Sequence, residues 1–342
     1  MVRKEFRELS RDRRTVAMIV AMPILLLVVF GYAADFGVDN VSTAVLGPQA
    51  QQLQSQIPDP FTTVETDPGG GKTAAKDLLV RDVADVAVVT GTQPVSVLVD
   101  GSALFSAQAA VSAFNRLGDQ VEVEVLFNPE LETSWVMIPA IIGLILTFIG
   151  TLVTAIGLVK ERERGTLEQL AVMPIRPSTV ILGKITPYFV LASFDMLAVT
   201  LLGMWLFDIP FNGSPAGFAL GAGVFLFVVL GLGVFISTIS TTVGQAIQTA
   251  FFFVIPQILL SGMIFPLEAI PWGVRWISYL LPLTHFTEIS QGVLLRGAPL
   301  DSLWLPFLVL TAMAALVFTG AVLRFRRSLA PATPRARQKT AA

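Results

Sequence analysis

At 342 residues, 54% hydrophobic and 14% charged, with a mean hydropathy of +0.71, the chain falls far below the roughly 25% charge of a water-soluble domain. The net charge of −2 says little by itself, because the signs are sorted by region, and no nucleic-acid partner is expected. With no Cys and one His, His285, the composition excludes disulfides, thiol nucleophiles and a His/Cys metal site.

In chain order, Val2, Phe6 and Leu9 recur at helical spacing among basic residues, which predicts a short interfacial helix within 1–14. Crossing about 30 Å of hydrocarbon takes roughly 20 apolar residues. Five stretches meet that length without a charge: Thr15–Ala34, Ser134–Val159, Pro215–Ile239, Gln245–Leu267 and Ser302–Leu323. A sixth, Ile185–Phe207, carries one charge at its centre, Asp195. The first run is long for a cleaved signal sequence and is expected to be a retained span.

Between the first two spans lies a soluble insert, Asp35–Thr133, long enough for one small domain. Val83–Val89, Val95–Val99 and Val121–Phe127 read as strands and Ser102–Arg116 as a helix, giving an α/β lobe. Gly47–Gly71, rich in Gln, Pro and Gly, reads as loop. Thr66–Thr73 ends in Gly71-Lys72-Thr73 like a phosphate-binding loop, but Thr66 stands where the first glycine belongs. With no apolar strand expected before it, a surface loop is the reading, and no ATPase site is assigned.

Basic residues orient the chain. Seventeen of the 23 lie before the first span, between the second and third, or after the last, whereas Asp35–Thr133 has four against fourteen acids. With six spans, both termini and the 160–184 loop are cytoplasmic and the insert is outside. Trp272–Leu295 is also fairly apolar, but Pro271 and Pro282 break it, and it holds Arg275, His285 and Glu288. A re-entrant helical hairpin over 268–300 on the outer face keeps the count consistent. The fold class is therefore an all-α polytopic membrane protein with an α/β extracytoplasmic domain, followed by a basic cytosolic tail over 324–342.

Two long segments carry a resemblance. One is Leu158-Val-Lys-Glu-Arg-Glu-Arg-Gly-Thr-Leu-Glu-Gln-Leu170, continuing to Tyr188. The other is Leu260-Ser-Gly-Met-Ile-Phe-Pro-Leu-Glu-Ala-Ile-Pro271, continuing through Tyr279–Phe286 to Gly292-Val-Leu-Leu-Arg-Gly297. With the phrase Val95-Ser-Val-Leu-Val-Asp-Gly101, the chain resembles, nearly end to end, the permease subunits of type-2 ABC exporters, in the multidrug and antibiotic branch. The resemblance implies a homodimer, or a heterodimer with a sister permease, in the plasma membrane. It implies ATP and Mg on separate ABC ATPase subunits, no cofactor in this chain, and export of a small amphiphilic compound.

It also makes Glu161, Arg162, Glu163, Arg164, Gly165, Thr166, Leu167 and Glu168 the coupling segment that seats on the ATPase. On the residues alone, this mixed-sign patch with a short amphipathic stretch suits docking in a partner's groove. Asp195 has two readings, a pathway residue or a carboxyl bonded within the bundle. Glu268, His285 and Glu288 are candidates for an outer gate; His285 and Glu288 could share one helical face, and a structural polar cap is the alternative reading for them. The rival reading is a non-transporting receptor or scaffold that binds a ligand through the insert.

Overall fold

The computed structural model describes residues 40–54, 57–164 and 177–329. The interfacial helix, the first predicted span and Gly165–Glu168 lie outside the described residues.

The insert is an α/β domain on a five-stranded sheet ordered β2-β1-β3-β4-β5. Its elements run β1 (Val41–Leu46), α1 (Ala50–Gln54), β2 (Phe61–Asp67), α2 (Lys72–Val80), β3 (Val86–Val89), β4 (Val95–Asp100), α3 (Leu104–Phe114) and β5 (Val121–Leu126). Only the β3–β4 pair is antiparallel. Helix α2 covers one face, where Leu79 and Ala75 meet Leu46, Ala87 and Leu98. Helix α3 covers the other, where Ala107 and Ala110 meet Val86, Val88, Val97 and Val99. All four residues of β3 are buried, so that strand reads as a continuous apolar run.

Three expectations for the insert change. The segment 47–71 is not all loop, since α1 and β2 fall within it. Strand β2 escaped notice because it sits at the sheet edge, where Phe-Thr-Thr-Val-Glu-Thr-Asp needs only Phe61 as a buried anchor. Strand β1 completes the sheet, and the predicted helix over 102–116 contracts to α3 with a 3₁₀ turn after it.

Beyond the domain, five helices among the described residues are long and apolar enough to cross a membrane. They are α4 (Thr133–Glu163), α5 (Pro177–Phe207), α6 (Pro215–Ile239), α7 (Val243–Leu260) and, after two shorter helices, α10 (Trp304–Leu329). Helix α7 ends at Leu260, seven residues before the expected limit, because Gly262 turns to φ +84. Helices α4 and α5 both run into the predicted 160–184 loop, and α10 continues past Leu323. The short helices α8 (Trp272–Ser278) and α9 (Pro282–Gln291) are separated by the break at Tyr279–Leu281. Helix α9 is buried among the long helices, its Phe286 ring stacked 4.3 Å from Phe225 of α6. A π turn, Gly292–Arg296, extends it and ends at Gly297 in the left-handed region.

Helices α4 and α6 form the tightest contact. A Cβ on Gly233 would stand 2.8 Å from the Thr151 carbonyl oxygen, which cannot move without unwinding α4. Gly233→Val should therefore cost about 1–3 kcal/mol by overpacking, read as a lower thermal midpoint of the purified protein. At Gly150 the nearest neighbour is a Val229 methyl at 3.2 Å, so Gly150→Ala should shift the midpoint far less.

All five tryptophans gather at the domain end of the bundle: Trp135 at the start of α4, Trp205 near the end of α5, Trp272 and Trp276 on α8, and Trp304 at the start of α10. Trp205, Trp272, Trp276 and Trp304 are largely exposed. Amphipathic rings concentrated at one level mark a membrane–water boundary.

Candidate functional site: a buried ion cluster under the domain and a clamp at the far end

Strand β4 ends on Asp100, which is fully buried. Its Oδ1 accepts from the Ser102 amide at 2.7 Å and the Ser102 hydroxyl at 2.6 Å. Arg296, the last residue of the π turn, enters from the membrane helices with its side chain 6% exposed. Its guanidinium lies 3.0 Å from Asp82 and 3.9 Å from Asp100, and Nη1 donates to Ser102 Oγ at 3.4 Å. Domain and bundle thus meet through a charge set in which Arg296 and Asp100 are buried and Asp82 reaches the surface. Outside it, Arg81 pairs with Asp301 at 2.8 Å in the open.

Burial pushes the Asp100 carboxyl up to about 6, with Arg296 pulling it back. Burial works against the Arg296 charge, but Asp82, Asp100 and Glu288 outweigh it and hold the guanidinium protonated. Glu288, on α9, is pushed up to about 7, first by burial and then by the charge of Asp82. Asp82, Glu288 and Arg296 border a cavity of about 280 Å³ between the domain, α4, α9 and the chain after α7.

Of the expected gate residues, Glu288 lines this cavity, whereas His285 turns elsewhere. His285 Nε2 lies 3.0 Å from the Tyr279 carbonyl oxygen, which can only accept, so this nitrogen donates. Burial lowers its pKa. With Thr284 bonded to the Ser278 carbonyl at 2.8 Å, it ties α8 to α9. Glu268 lies in a 3₁₀ turn, Leu267–Ala269. Asp195 is half-buried at mid-α5, its Oδ2 without a hydrogen-bond partner among the described residues. Sequence reading passed over Arg296 and Asp100 as parts of two phrases 196 positions apart. That both phrases matched one family was the available signal that they belong together.

At the far end, α4 closes on Glu161, Arg162 and Glu163. Lys184 of α5 donates to Glu161. Arg162 Nη1 donates to the Ser237 and Ser240 carbonyls at 2.8 and 3.0 Å, at the end of α6. Glu163 Oε1 accepts from the Val243 amide at 3.2 Å, the first residue of α7. Cation on a helix C-terminus and anion on a helix N-terminus both match the dipole. Arg162 and Glu163 therefore clamp the α6–α7 turn within their own chain. Arg164 follows as the helix cap.

The phosphate-loop question also has a geometric answer. A strand does precede the loop, but it is the largely polar edge strand β2 and not the buried apolar strand a phosphate loop needs. Asp67 already takes the loop amides, its Oδ1 accepting from Gly69 at 3.0 Å and its carbonyl from Gly70 at 3.2 Å. Lys72 pairs with Glu124 at 2.6 Å. A carboxylate filling the nest leaves it unsuited to phosphate.

The profile of the ABC-2 family transporter protein matches residues 13–323. The chain is 30% identical to the probable multidrug ABC transporter permease YbhR of Escherichia coli, over 96% of this chain and 98% of the relative. It is 27% identical to the probable multidrug ABC transporter permease YbhS of the same organism, over 86% and 87%. Against the linearmycin resistance permease protein LnrN of Bacillus subtilis it is 25% identical, over 52% and 46%. Five membrane-length helices, a sheet domain before them and a match across most of the sequence agree: this chain belongs to the ABC-2 family of transporters, as a membrane-spanning permease.

Proposed function

We propose that the chain is the membrane subunit of an ATP-driven exporter in the plasma membrane, working as a dimer with separate ABC ATPase subunits. The cargo is a small amphiphilic compound, in keeping with the multidrug and linearmycin-resistance names of its relatives. Both termini and the 160–184 region face the cytosol and the sheet domain lies outside, as the basic-residue asymmetry favours. Helices α8 and α9 enter from the outer face and return without crossing, while the first span completes a set of six. The binding and hydrolysis of ATP with Mg belong to the partner.

The observation that carries this reading is the clamp at the end of α4. Residues 161–168 begin where Arg162 and Glu163 fasten α4 to the α6–α7 turn, and Lys184 fastens α5 to Glu161. A push applied to this segment by a closing ATPase is therefore shared by four helices at once. A receptor has no use for that linkage.

Vesicles holding the chain with its cognate ATPase should accumulate an amphiphilic dye only with ATP, and Lys72→Ala should not change the rate. In the Cys-free chain, Asp119→Cys should react with an impermeant thiol reagent in intact cells and Ser178→Cys should not. Labelling of Ser178→Cys from outside would overturn the orientation, and dye uptake without the ATPase would overturn the coupling.

A further inference from the structure

The cavity under the sheet domain is more than a seam. Its charged lining consists of Asp82, Asp85, Glu288 and Arg296, with Asp100 directly behind. The single cation is engaged by Asp82 and Asp100. Glu288 forms no ion pair with it among the described residues, so an acidic excess faces the space. An anion would meet that excess at close range.

Two hydroxyls supply an independent sign. Ser261, which is 1% exposed, and Thr287, which is 5% exposed, both line the cavity. Neither Ser261 Oγ nor Thr287 Oγ1 has a hydrogen-bond partner among the described residues. Buried polar atoms without partners are costly, and both can accept from a ligand N–H. The rest of the lining includes apolar, polarisable side chains: Phe105, Met137, Met263 and Ile264. Methionine adapts to varied shapes and aromatic faces attract cations. A bare metal ion is the wrong guest, because no group of three or more His, Cys, Asp or Glu among the described residues is placed to ligate one.

We propose that this cavity binds an organic cation, a protonated amine carried on a compact apolar body. The ammonium sits against Glu288, with the Ser261 and Thr287 hydroxyls accepting its remaining protons, and the body lies on the apolar part of the lining, which includes Phe105 and Met263. About 280 Å³ suits one fused ring system rather than a lipid. Because sheet domain and helices both line the space, a bound amine fastens one to the other. The site stands on the cavity and not on the direction of transport, which decides only whether the amine is cargo or a resident ligand.

The test uses the full chain in lipid nanodiscs, with empty nanodiscs as blank and three fluorescent probes that differ at one end. Dansylcadaverine carries the ammonium, its N-acetyl derivative is neutral, and the dansyl-aminohexanoate twin is an anion. The amine should bind at least tenfold more tightly than either twin. Glu288→Gln, which keeps shape, should remove most of that preference, and Thr287→Val should weaken amine binding several-fold. Binding should strengthen roughly tenfold from pH 6 to pH 8, because Glu288 must give up its proton to receive the ammonium. Asp82, Asp85 and Arg296 face the same space with Asp100 behind them, and His285 on the same helix is turned to the Tyr279 carbonyl. Glu288→Gln should therefore remove most of the pH effect and leave only the smaller change that Asp100, pushed up to about 6, contributes. In sealed vesicles carrying the chain with its ATPase, ATP-dependent accumulation of the amine marks it as cargo, and binding without accumulation marks a resident ligand; both keep the site. Equal affinity for the three probes, or an unchanged preference in correctly folded Glu288→Gln and Thr287→Val, overturns it.

Discussion

Arg296→Met should release the sheet domain from the helices and abolish transport. Removing one partner of a buried charge set leaves the others unpaired, at a typical cost of about 3–5 kcal/mol. Here Asp100 is fully buried, and Asp82 loses its 3.0 Å partner. The expected readings are a large drop in thermal midpoint and rapid protease cleavage between β5 and α4. Arg296→Lys should rescue only in part, since a point charge cannot reach Asp82, Asp100 and Ser102 together. Adding Asp82→Asn and Asp100→Asn to Arg296→Met should recover much of the midpoint, because the unpaired charges are then gone. A wild-type midpoint in Arg296→Met would mean that the cluster does not hold the domain.

The second large effect is expected at the other end of α4. Glu163→Lys places a cation on the positive N-terminus of α7 and removes the acceptor of the Val243 amide. Arg162→Ala strips two carbonyls at the end of α6 of their donor. Each should cost about 1–3 kcal/mol locally, enough to lower ATP-driven transport tenfold or more while the protein still inserts. Glu163→Gln keeps an acceptor and should retain most activity. The discriminating measurement is hydrolysis by the bound ATPase in both variants. Hydrolysis that continues while transport stops places the fault in transmission, whereas full transport by Glu163→Lys removes the clamp from the mechanism.

Long apolar runs made the spans legible, because hydrocarbon imposes a length that local sequence must satisfy alone. The sheet domain was read unevenly for the opposite reason. Strands β4 and β5 carry β-branched alternation, while β2 is held by its neighbour β1 and shows only Phe61 as a mark. Glu288 was visible as a charge in an apolar stretch. Its cavity was not, since Asp82, Asp100 and Arg296 come together only through tertiary contacts. The 161–164 patch was legible as unusual, but its hold on α6 and α7 depends on a turn some 75 residues away.

The clustering of tryptophan has an experimental consequence. Because all five indoles stand at the domain end and the clamp end has none, the natural fluorescence of the unmodified protein is a one-sided spectroscopic probe. Nucleotide acting on a partner docked at the clamp cannot quench or shift these emitters by direct contact. Any change in their emission then reports a rearrangement carried the full length of the helices, with no label attached.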